Sequence, residues 1–464
     1  MLRRALTAAA VALLVLAPAA TARTIRVSID PPRAGHPVQA GFLGLSFEAA
    51  DLPPVARDGT QGNLVRLLRS LGPGVLRFGG ASVDIRTAYA AQPPWATTTI
   101  QPSDFDRLHT LLSRTGWRAI LTVSLGHFDP QGAAREAAAA SRRLGSQLLA
   151  VEIGNEPDGY WIFGLRPPGW GYVDYSSQVR SYRRAIAAAA PRVPIAGPDT
   201  VGYGWLAPYA RDQRPAILTA HYYPLNVCTA PAPRLDTLLS DAVLTQQGYA
   251  LWGLAAIARK NRLVARLGET NNIGCSGEMG VSDTYGAALW ALRYMAQAAR
   301  AGVAGINFHT LVDNCRGYSP LCAPTKYDLE GGWMRPMPEW YAMLMFSRLT
   351  GDRVVGSSMT GHPPGLTVDA FGGGARADVL IVNSGVAARS LVLRPKARYT
   401  AATVLRLTAP ALDASTGVEL GGRPVSPGGS WRPGTRLEQA RRAGGGGVWV
   451  SVPSESAVLV TLQR

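Results

Sequence analysis

Two glutamates close strand-like apolar runs far apart in the chain. Glu156 lies in Val151-Glu152-Ile153-Gly154-Asn155-Glu156-Pro157, and Glu269 in Arg266-Leu267-Gly268-Glu269-Thr270. Two carboxyl groups facing one another can break a glycosidic bond: one gives a proton to the leaving oxygen, the other acts as nucleophile or base. Asn-Glu-Pro at the C-terminal end of a strand suits the proton donor. Asn155 suits a donor to the sugar 2-hydroxyl, a contact that strengthens in the oxocarbenium-like transition state. A carboxylate at an inward-facing strand end is costly unless it is hydrogen-bonded or employed. The bland alternative makes both glutamates ordinary loop residues and Asn155 a turn former.

The elements that must hold this pair alternate along the chain. Short apolar runs at 41–48, 74–78, 119–125, 148–153, 193–196, 217–222, 263–268 and 305–309 read as parallel strands covered on both faces. Helical patterns at 64–71, 104–113, 133–144, 175–189, 238–259, 284–301 and 338–349 lie between or after them. Eight alternations predict an α/β fold, a (β/α)8 TIM barrel over 39–350, with Glu156 after the fourth strand and Glu269 at the end of the seventh. A doubly wound sheet is the runner-up, but no Gly-rich phosphate loop follows the first strand. From 351 to 464 short alternating runs separated by Gly, Pro, Asn and Asp predict a smaller antiparallel β-sandwich domain. The segment 23–38 holds one further strand, which could cross over to join that sandwich.

Residues 1–22 read as a secretory signal peptide, with Arg3 and Arg4, an apolar core and the small-residue site Ala20-Thr21-Ala22. A secreted or cell-surface protein without an integral membrane segment after signal removal is expected, since no later apolar run is long enough to span a bilayer. Four cysteines in an exported chain suggest two disulfides, Cys315 with Cys322 locally and Cys228 with Cys275 between neighbouring loops. The formal charge is +16, which would attract an acidic glycan or an anionic cell wall. Only Lys260, Lys326 and Lys396 are lysines, so the excess is arginine and also fits the composition of a GC-rich genome. No arginine cluster interleaved with aromatics suggests nucleic acid. No metal-ligand spacing such as His-Glu-x-x-His occurs, and no cofactor is implied.

Several motifs in one order carry a resemblance: Gly44-Leu45-Ser46-Phe47-Glu48, Leu76-Arg77-Phe78-Gly79-Gly80, Ile153-Gly154-Asn155-Glu156-Pro157-Asp158, His221-Tyr222-Tyr223, Leu267-Gly268-Glu269-Thr270 and Gly280-Val281-Ser282-Asp283-Thr284-Tyr285. The tail Leu405-Arg406-Leu407-Thr408-Ala409-Pro410 with Asp413-Ala414-Ser415-Thr416-Gly417-Val418 continues it. Over nearly its whole length the chain resembles glycoside hydrolase family 79, the β-glucuronidases and heparanases, including that family's C-terminal β-domain. The resemblance implies a retaining two-glutamate mechanism with Glu156 as acid/base and Glu269 as nucleophile. It implies substrate contacts at Asn155, Glu48, Gly80, Ser82, Tyr222, Tyr223, His309 and Tyr318, with Tyr222 or Tyr223 donating to the nucleophile. The implied partner is a carbohydrate, uronate-containing in that family.

The chain departs from the family after its eighth strand. Thr310-Leu311-Val312-Asp313-Asn314 replaces a glycine-rich run, Cys315 and Cys322 bracket the loop, and Ala81 stands where relatives often carry a polar residue. These departures bear on uronate specificity more than on the hydrolytic pair. Arg316 could pair a carboxylate or sit on the surface. Trp161, Trp170 and Trp205 could stack on sugars or pack the loops, His309 could line the site or fill the core, and Asp283 reads as a helix cap. Two rival readings follow: a catalytically silent glycan-binding protein, and a retaining glycosidase or transglycosylase acting on a neutral sugar.

Overall fold

The computed structural model describes residues 24–31, 35–57, 59–229, 231–434 and 438–464; the expected signal peptide at 1–22 lies outside the described residues. Eight strands pair in parallel: β1 (Leu43–Glu48), β2 (Val75–Gly79), β3 (Arg118–Val123), β4 (Leu148–Ile153), β5 (Ala196–Thr200), β6 (Ile217–Tyr222), β7 (Val264–Thr270) and β8 (Ile306–His309). Their order is β4-β3-β2-β1-β8-β7-β6-β5. The free ends meet where Val151 bridges Ile195 and the Val151 N–H donates to the Pro194 carbonyl at 2.9 Å, which closes the sheet into a barrel. The architecture is the (β/α)8 barrel that the alternation predicts.

β5 differs from expectation. The apolar run 193–196 ends where the strand begins, because Gly197, Pro198 and Asp199 read as breakers. Pairing with β6 overrides that local preference. Three helices start earlier than their apolar periodicity, at Pro102, Pro130 and Tyr172. Pro102–Thr115 opens at a proline, and Asp104 accepts from the Gln101 N–H at 2.8 Å as the third residue of a capping box. The expected helix 238–259 is broken at Ser240, whose hydroxyl accepts from the Val243 N–H at 3.2 Å and starts Asp241–Lys260 anew. Asp283 caps no helix: its Oδ1 accepts from the Gly280 N–H at 2.7 Å and closes a turn ahead of Tyr285–Ala301.

The C-terminal part forms two facing sheets. In one, Ile25–Ile29 lies between Ser357–Met359 and Arg389–Pro395, followed by Gly447–Val452 and Arg441–Ala443. Its pairing with Arg389–Pro395 is parallel, an exception to the antiparallel pattern. The other sheet is built on Leu366–Gly373, Arg376–Asn383, Ser456–Gln463 and Ala401–Thr408. Val27, Leu391 and Val450 of the first sheet meet Val379, Val404 and Val460 of the second in one apolar layer. The reverse face of the second sheet, through Phe371, Leu380 and Leu407, joins the barrel core, and Phe371 meets Phe346 edge-on at 6.0 Å. Because both faces are covered, Val379 to Val382 is a continuous apolar run rather than an alternating one. Among the described residues no helix is long and apolar enough to cross a membrane.

Both cysteine pairs are bonded, with Cα separations of 5.9 Å for Cys228–Cys275 and 5.4 Å for Cys315–Cys322. The first joins the loops after β6 and β7 and closes 47 residues of chain; the second closes 7. Chain entropy predicts that Cys228→Ser with Cys275→Ser costs about 4 kcal/mol and the local pair about 2 kcal/mol. Urea unfolding of the two double variants checks this; the reverse order would contradict it.

Candidate active site

At the C-terminal mouth of the barrel the inward side chains are charged, which an apolar reading of the strands does not anticipate. Arg77, on β2, is fully buried and uses all five of its N–H donors. Nε donates to Glu152 Oε2 at 2.8 Å, Nη1 to Ser46 Oγ and Glu269 Oε2 at 2.9 Å each, and Nη2 to Asn155 Oδ1 at 2.9 Å and to Asp199 Oδ2. Thr122 Oγ1 on β3 donates to Glu152 Oε2 at 3.0 Å. The close approach of β7 to this network requires glycine: a Cβ at Gly268 would stand 2.4 Å from Asp199 Oδ1.

Glu269 is the anchored member of the carboxyl pair, its side chain 7% exposed. Oε1 accepts from the Tyr223 hydroxyl at 2.8 Å, and Oε2 faces Arg77 at 2.9 Å and His309 Nδ1 at 3.4 Å. Burial alone would raise its pKa, but His309, His221, Arg77 and the Tyr223 hydrogen bond together bring it down to about 2. It is therefore ionised at neutral pH. Glu156 is more open, its side chain 25% exposed, and its backbone is left-handed at φ +48°. That conformation is rare for a non-glycine residue. The Glu156 N–H donates to the Asp199 carbonyl at 2.9 Å, and its own carbonyl accepts from the Gly159 N–H at 2.8 Å.

His221, buried on β6, links the two. Its Nδ1 lies 2.7 Å from Glu156 Oε1 and 4.0 Å from Glu269 Oε1. Its Nε2 lies 3.1 Å from Asp199 Oδ1, although not in line for a hydrogen bond. Burial disfavours a charge on this ring, yet Asp199, Glu269 and Glu156 raise its pKa well above the usual histidine value. His309 is raised likewise by Glu269 and Glu48 against the effect of burial. Asp199 and Glu152 share the remaining burden. Asp199 is lowered, against burial, by Arg77 and His221, while burial beside Asp199 pushes Glu152 up to about 7. Atoms of Glu156, His221 and Glu269 converge within 4.8 Å of one another, as a cation site would require. Each ring nitrogen of His221 faces a carboxylate oxygen, an arrangement that favours a proton there over a lone pair for a metal.

Asn155 is oriented from two sides. Its Oδ1 accepts from Arg77, and its N–H donates to Asp84 Oδ2 at 2.8 Å, which leaves the side-chain NH2 for a ligand. Asp84 also accepts from the Leu125 and Gly126 N–H groups at 2.7 Å each and from the Tyr160 hydroxyl at 2.6 Å. Glu48 ends β1 with Oε2 accepting from the Ser82 N–H at 2.7 Å and Oε1 3.6 Å from His309 Nε2. Gly80, at φ +65°, has room for nothing larger, since a Cβ would meet the Glu48 carboxylate at 2.4 Å. Tyr318 packs on Tyr223 and His309, with ring centroids 5.6 and 5.7 Å away.

Of the residues expected at the site, the structure gathers Glu156, Glu269, Asn155, Glu48, Gly80, Ser82, Tyr223, His309 and Tyr318. Tyr222 is not among them: its ring stacks on Tyr294 at 6.4 Å, and its buried hydroxyl has no partner. Strand alternation separates the two tyrosines, so Tyr223 is the donor to Glu269. Trp170 and Trp205 pack in an aromatic cluster with Tyr172 and Tyr175, whereas Trp161 is 59% exposed. Arg316 is exposed on the loop after β8. Sequence reasoning assigned no role to Arg77, Glu152, Asp199 or His221. A charged residue within an otherwise apolar strand was the available signal for Arg77 and Glu152, because a buried charge must be paired.

No family model matches the chain. Two curated relatives do: a β-glucuronidase of Neurospora crassa, 23% identical over 352 residues, and a heparanase of Gallus gallus, 24% identical over 391. The matches span 61% and 69% of this chain, and 60% and 71% of the respective relatives. Among solved structures, a 4-O-α-L-rhamnosyl-β-D-glucuronidase from Fusarium oxysporum 12S superposes with a TM-score of 0.78 at 19% identity, covering 95% of this chain and all of that one. A GH51 arabinofuranosidase from Xanthomonas axonopodis pv. citri gives 0.69 at 13% identity over 95% of this chain and all of that one. The structures share the fold, and the two curated relatives bear out the resemblance to the β-glucuronidases and heparanases.

Two expectations follow from the electrostatics. Arg77→Met leaves three buried acids without their cation and lowers stability by about 3–5 kcal/mol in urea unfolding at pH 7. Stability should also peak on the acid side of neutrality. Glu269, lowered from 4.5 to about 2, contributes fully above pH 4.5 and loses that contribution as pH falls. His221 and His309, both raised, contribute fully below pH 6.5 and lose that contribution as pH rises. Glu152, raised to about 7, and Glu339, raised by burial to about 8, weaken the folded state in the same alkaline direction. Unfolding free energy measured from pH 3 to 9 should therefore be greatest between about 4.5 and 6.5; a maximum at pH 8 would contradict the charge assignment.

Proposed function

We propose that the chain is a retaining β-glycosidase of the β-glucuronidase type, with Glu156 as acid/base and Glu269 as nucleophile. One observation carries this reading: the facing atoms of the two carboxyl groups lie within 4.8 Å, with His221 between them. Retaining enzymes hold their carboxyls roughly 5–5.5 Å apart, whereas inverting enzymes leave roughly 6.5–9.5 Å for a water. Glu269, ionised and aligned by Tyr223, Arg77 and His309, attacks the anomeric carbon. His221 occupies Oε1 of Glu156, so Oε2 carries the proton to the departing glycosidic oxygen. After departure the Glu156 carboxylate beside the His221 imidazolium takes a proton from water, which releases the sugar with its configuration kept. Asn155 offers its NH2 to the 2-hydroxyl as positive charge develops on the ring.

The β-glucuronidase and heparanase among the relatives and the formal charge of +16 support a uronate-bearing substrate. A neutral sugar is the second reading, favoured by the site's own chemistry. Glu48 stands ionised at the mouth: burial opposes this, but His309 and Ser82 lower its pKa. The Arg316 and Gly317 N–H groups after β8 are spent on Asn314 Oδ1, at 2.9 and 3.1 Å, rather than free for a carboxylate. The two disulfides support action in an oxidising, extracytoplasmic compartment.

A panel of aryl β-glycosides (glucuronide, glucoside, galactoside, xyloside) with product stereochemistry read by NMR tests the proposal. The glucuronide should be cleaved fastest, with the β-anomer appearing first; initial release of the α-anomer would rule out double displacement. Glu269→Gln should leave no measurable turnover. Glu156→Gln should lose roughly 10²–10⁴-fold on poor leaving groups and far less in the first step of a dinitrophenyl glycoside. Mild, equal losses for both variants would sink the role assignment.

A further inference from the structure

Between β2 and the helix Pro102–Thr115 the chain makes an excursion through the short helix Ser82–Ile85 and the paired strands Thr87–Tyr89 and Thr98–Ile100. Together with the loop after β3 and the helix Pro130–Leu144, it encloses a cavity of about 700 Å³. None of the carboxylates placed in the active site lines this cavity. Tyr89, Trp95 and His127 form aromatic walls, and the Trp95 indole lies flat on the His127 ring at 3.7 Å.

Two buried polar side chains belong to the lining of the same space. Glu136 is 9% exposed, and among the described residues it has neither a hydrogen bond nor an ion pair; burial pushes its carboxyl up to about 8. Thr87 is 3% exposed, and its hydroxyl has no partner. The Thr87 hydroxyl is thus a buried polar atom left unmatched, which costs stability and is rare without a reason. At neutral pH the Glu136 carboxylic acid can both donate and accept, as can the Thr87 hydroxyl. Flat aromatic faces combined with groups of this kind match a ring bearing apolar C–H faces and a rim of hydroxyls. A purely apolar ligand would leave Glu136 and Thr87 unmatched, and the two charges in the lining, Arg135 and Asp129, pair with each other at 3.7 Å, which suits an uncharged ring.

We propose that this cavity is a second sugar-binding site, taking a pyranose ring of the glycan whose linkage is cleaved at Glu156 and Glu269. The proposal rests on the glycosidase reading for the identity of that glycan. The two sites share a wall: Ser124 lines the cavity and contacts Asp84 Oδ1 at 3.3 Å, while Asp84 Oδ2 holds the Asn155 N–H. The cavity is lined from the segments after β2 and β3, and the active site is built at the ends of the same barrel's strands, so the two lie on one side of the barrel.

The test uses oligosaccharides of alternating β-glucuronate and N-acetylglucosamine, from two to eight sugars, titrated calorimetrically into the Glu269→Gln protein. Affinity should rise roughly tenfold or more with length, and Trp95→Ala or Glu136→Leu in that background should abolish the rise. In the active protein the same two substitutions should leave kcat/KM for an aryl β-glucuronide within about twofold, because that substrate cannot reach the cavity. A length gain that survives both substitutions, or no length gain at all, overturns the proposal, as does a parallel loss on the aryl substrate. If the aryl panel is not hydrolysed but the length gain is present and sensitive to Trp95, the hydrolase reading fails and the sugar site stands.

Discussion

A guanidinium sealed in the middle of a barrel is expensive unless every donor is met and its charge is balanced. Arg77 meets both conditions only because the strands around it deliver acceptors at fixed heights. Ser46 comes from β1, Glu152 from β4, Asp199 from β5 and Glu269 from β7, with Asn155 just beyond β4. Thr122 on β3 supports Glu152, while His221 on β6 and His309 on β8 supply further positive charge. Every strand of the barrel thus places a polar side chain in one network. The ionisation of Glu269 and the orientation of Asn155 are two consequences of the same set of contacts. Removing any member leaves a buried partner exposed to the full cost of desolvation.

Within that network the two glutamates are held differently, and the difference suits the separate roles proposed for them. Glu269 receives hydrogen bonds on both oxygens and faces three cationic groups, so its charge and direction are fixed before a substrate arrives. Glu156 has one contact, from His221, and keeps a partly open face. Its left-handed backbone turns the side chain back over the mouth, a conformation held by hydrogen bonds at its own N–H and C=O. One carboxylate is immobilised, as the proposed nucleophile requires, and the other keeps an open face, as the proposed acid/base requires.

Much of the architecture was legible in the residues. The buried strands showed themselves as apolar runs because helices cover them, and Val379 to Val382 did so because its sheet packs on both faces. Glu156 and Glu269 stood out as charges at strand ends. The floor of the site was much less visible. Arg77 and Glu152 each interrupt an apolar run by a single residue, and pattern reasoning absorbs one interruption without asking what pairs it. Asp199 was hidden more thoroughly, since Gly197-Pro198-Asp199 carries every local sign of a turn and becomes a strand only through its neighbours. The choice between Tyr222 and Tyr223 turns on which face the alternation of β6 gives each of them, which adjacent identical residues cannot reveal.

The C-terminal sheets also bear on the chemistry, through a helix rather than through the site. The helix Tyr285–Ala301 follows β7, the strand that carries Glu269, and its N-cap Thr284 makes no capping hydrogen bond of its own. Its first free donors are met instead from the far end of the chain: the Tyr285 N–H by the Ala414 carbonyl at 2.9 Å and the Gly286 N–H by the Leu412 carbonyl at 2.8 Å. The Tyr285 hydroxyl donates to the Leu407 carbonyl at 2.6 Å. Further along the same helix, Tyr294 bonds Thr270 Oγ1 at 3.0 Å, one residue past Glu269. A continuous path of backbone and side-chain hydrogen bonds thus runs from the tail segment through one helix to the end of β7. The barrel alone would leave the start of that helix unsatisfied, so the second domain completes the element that fixes the end of β7.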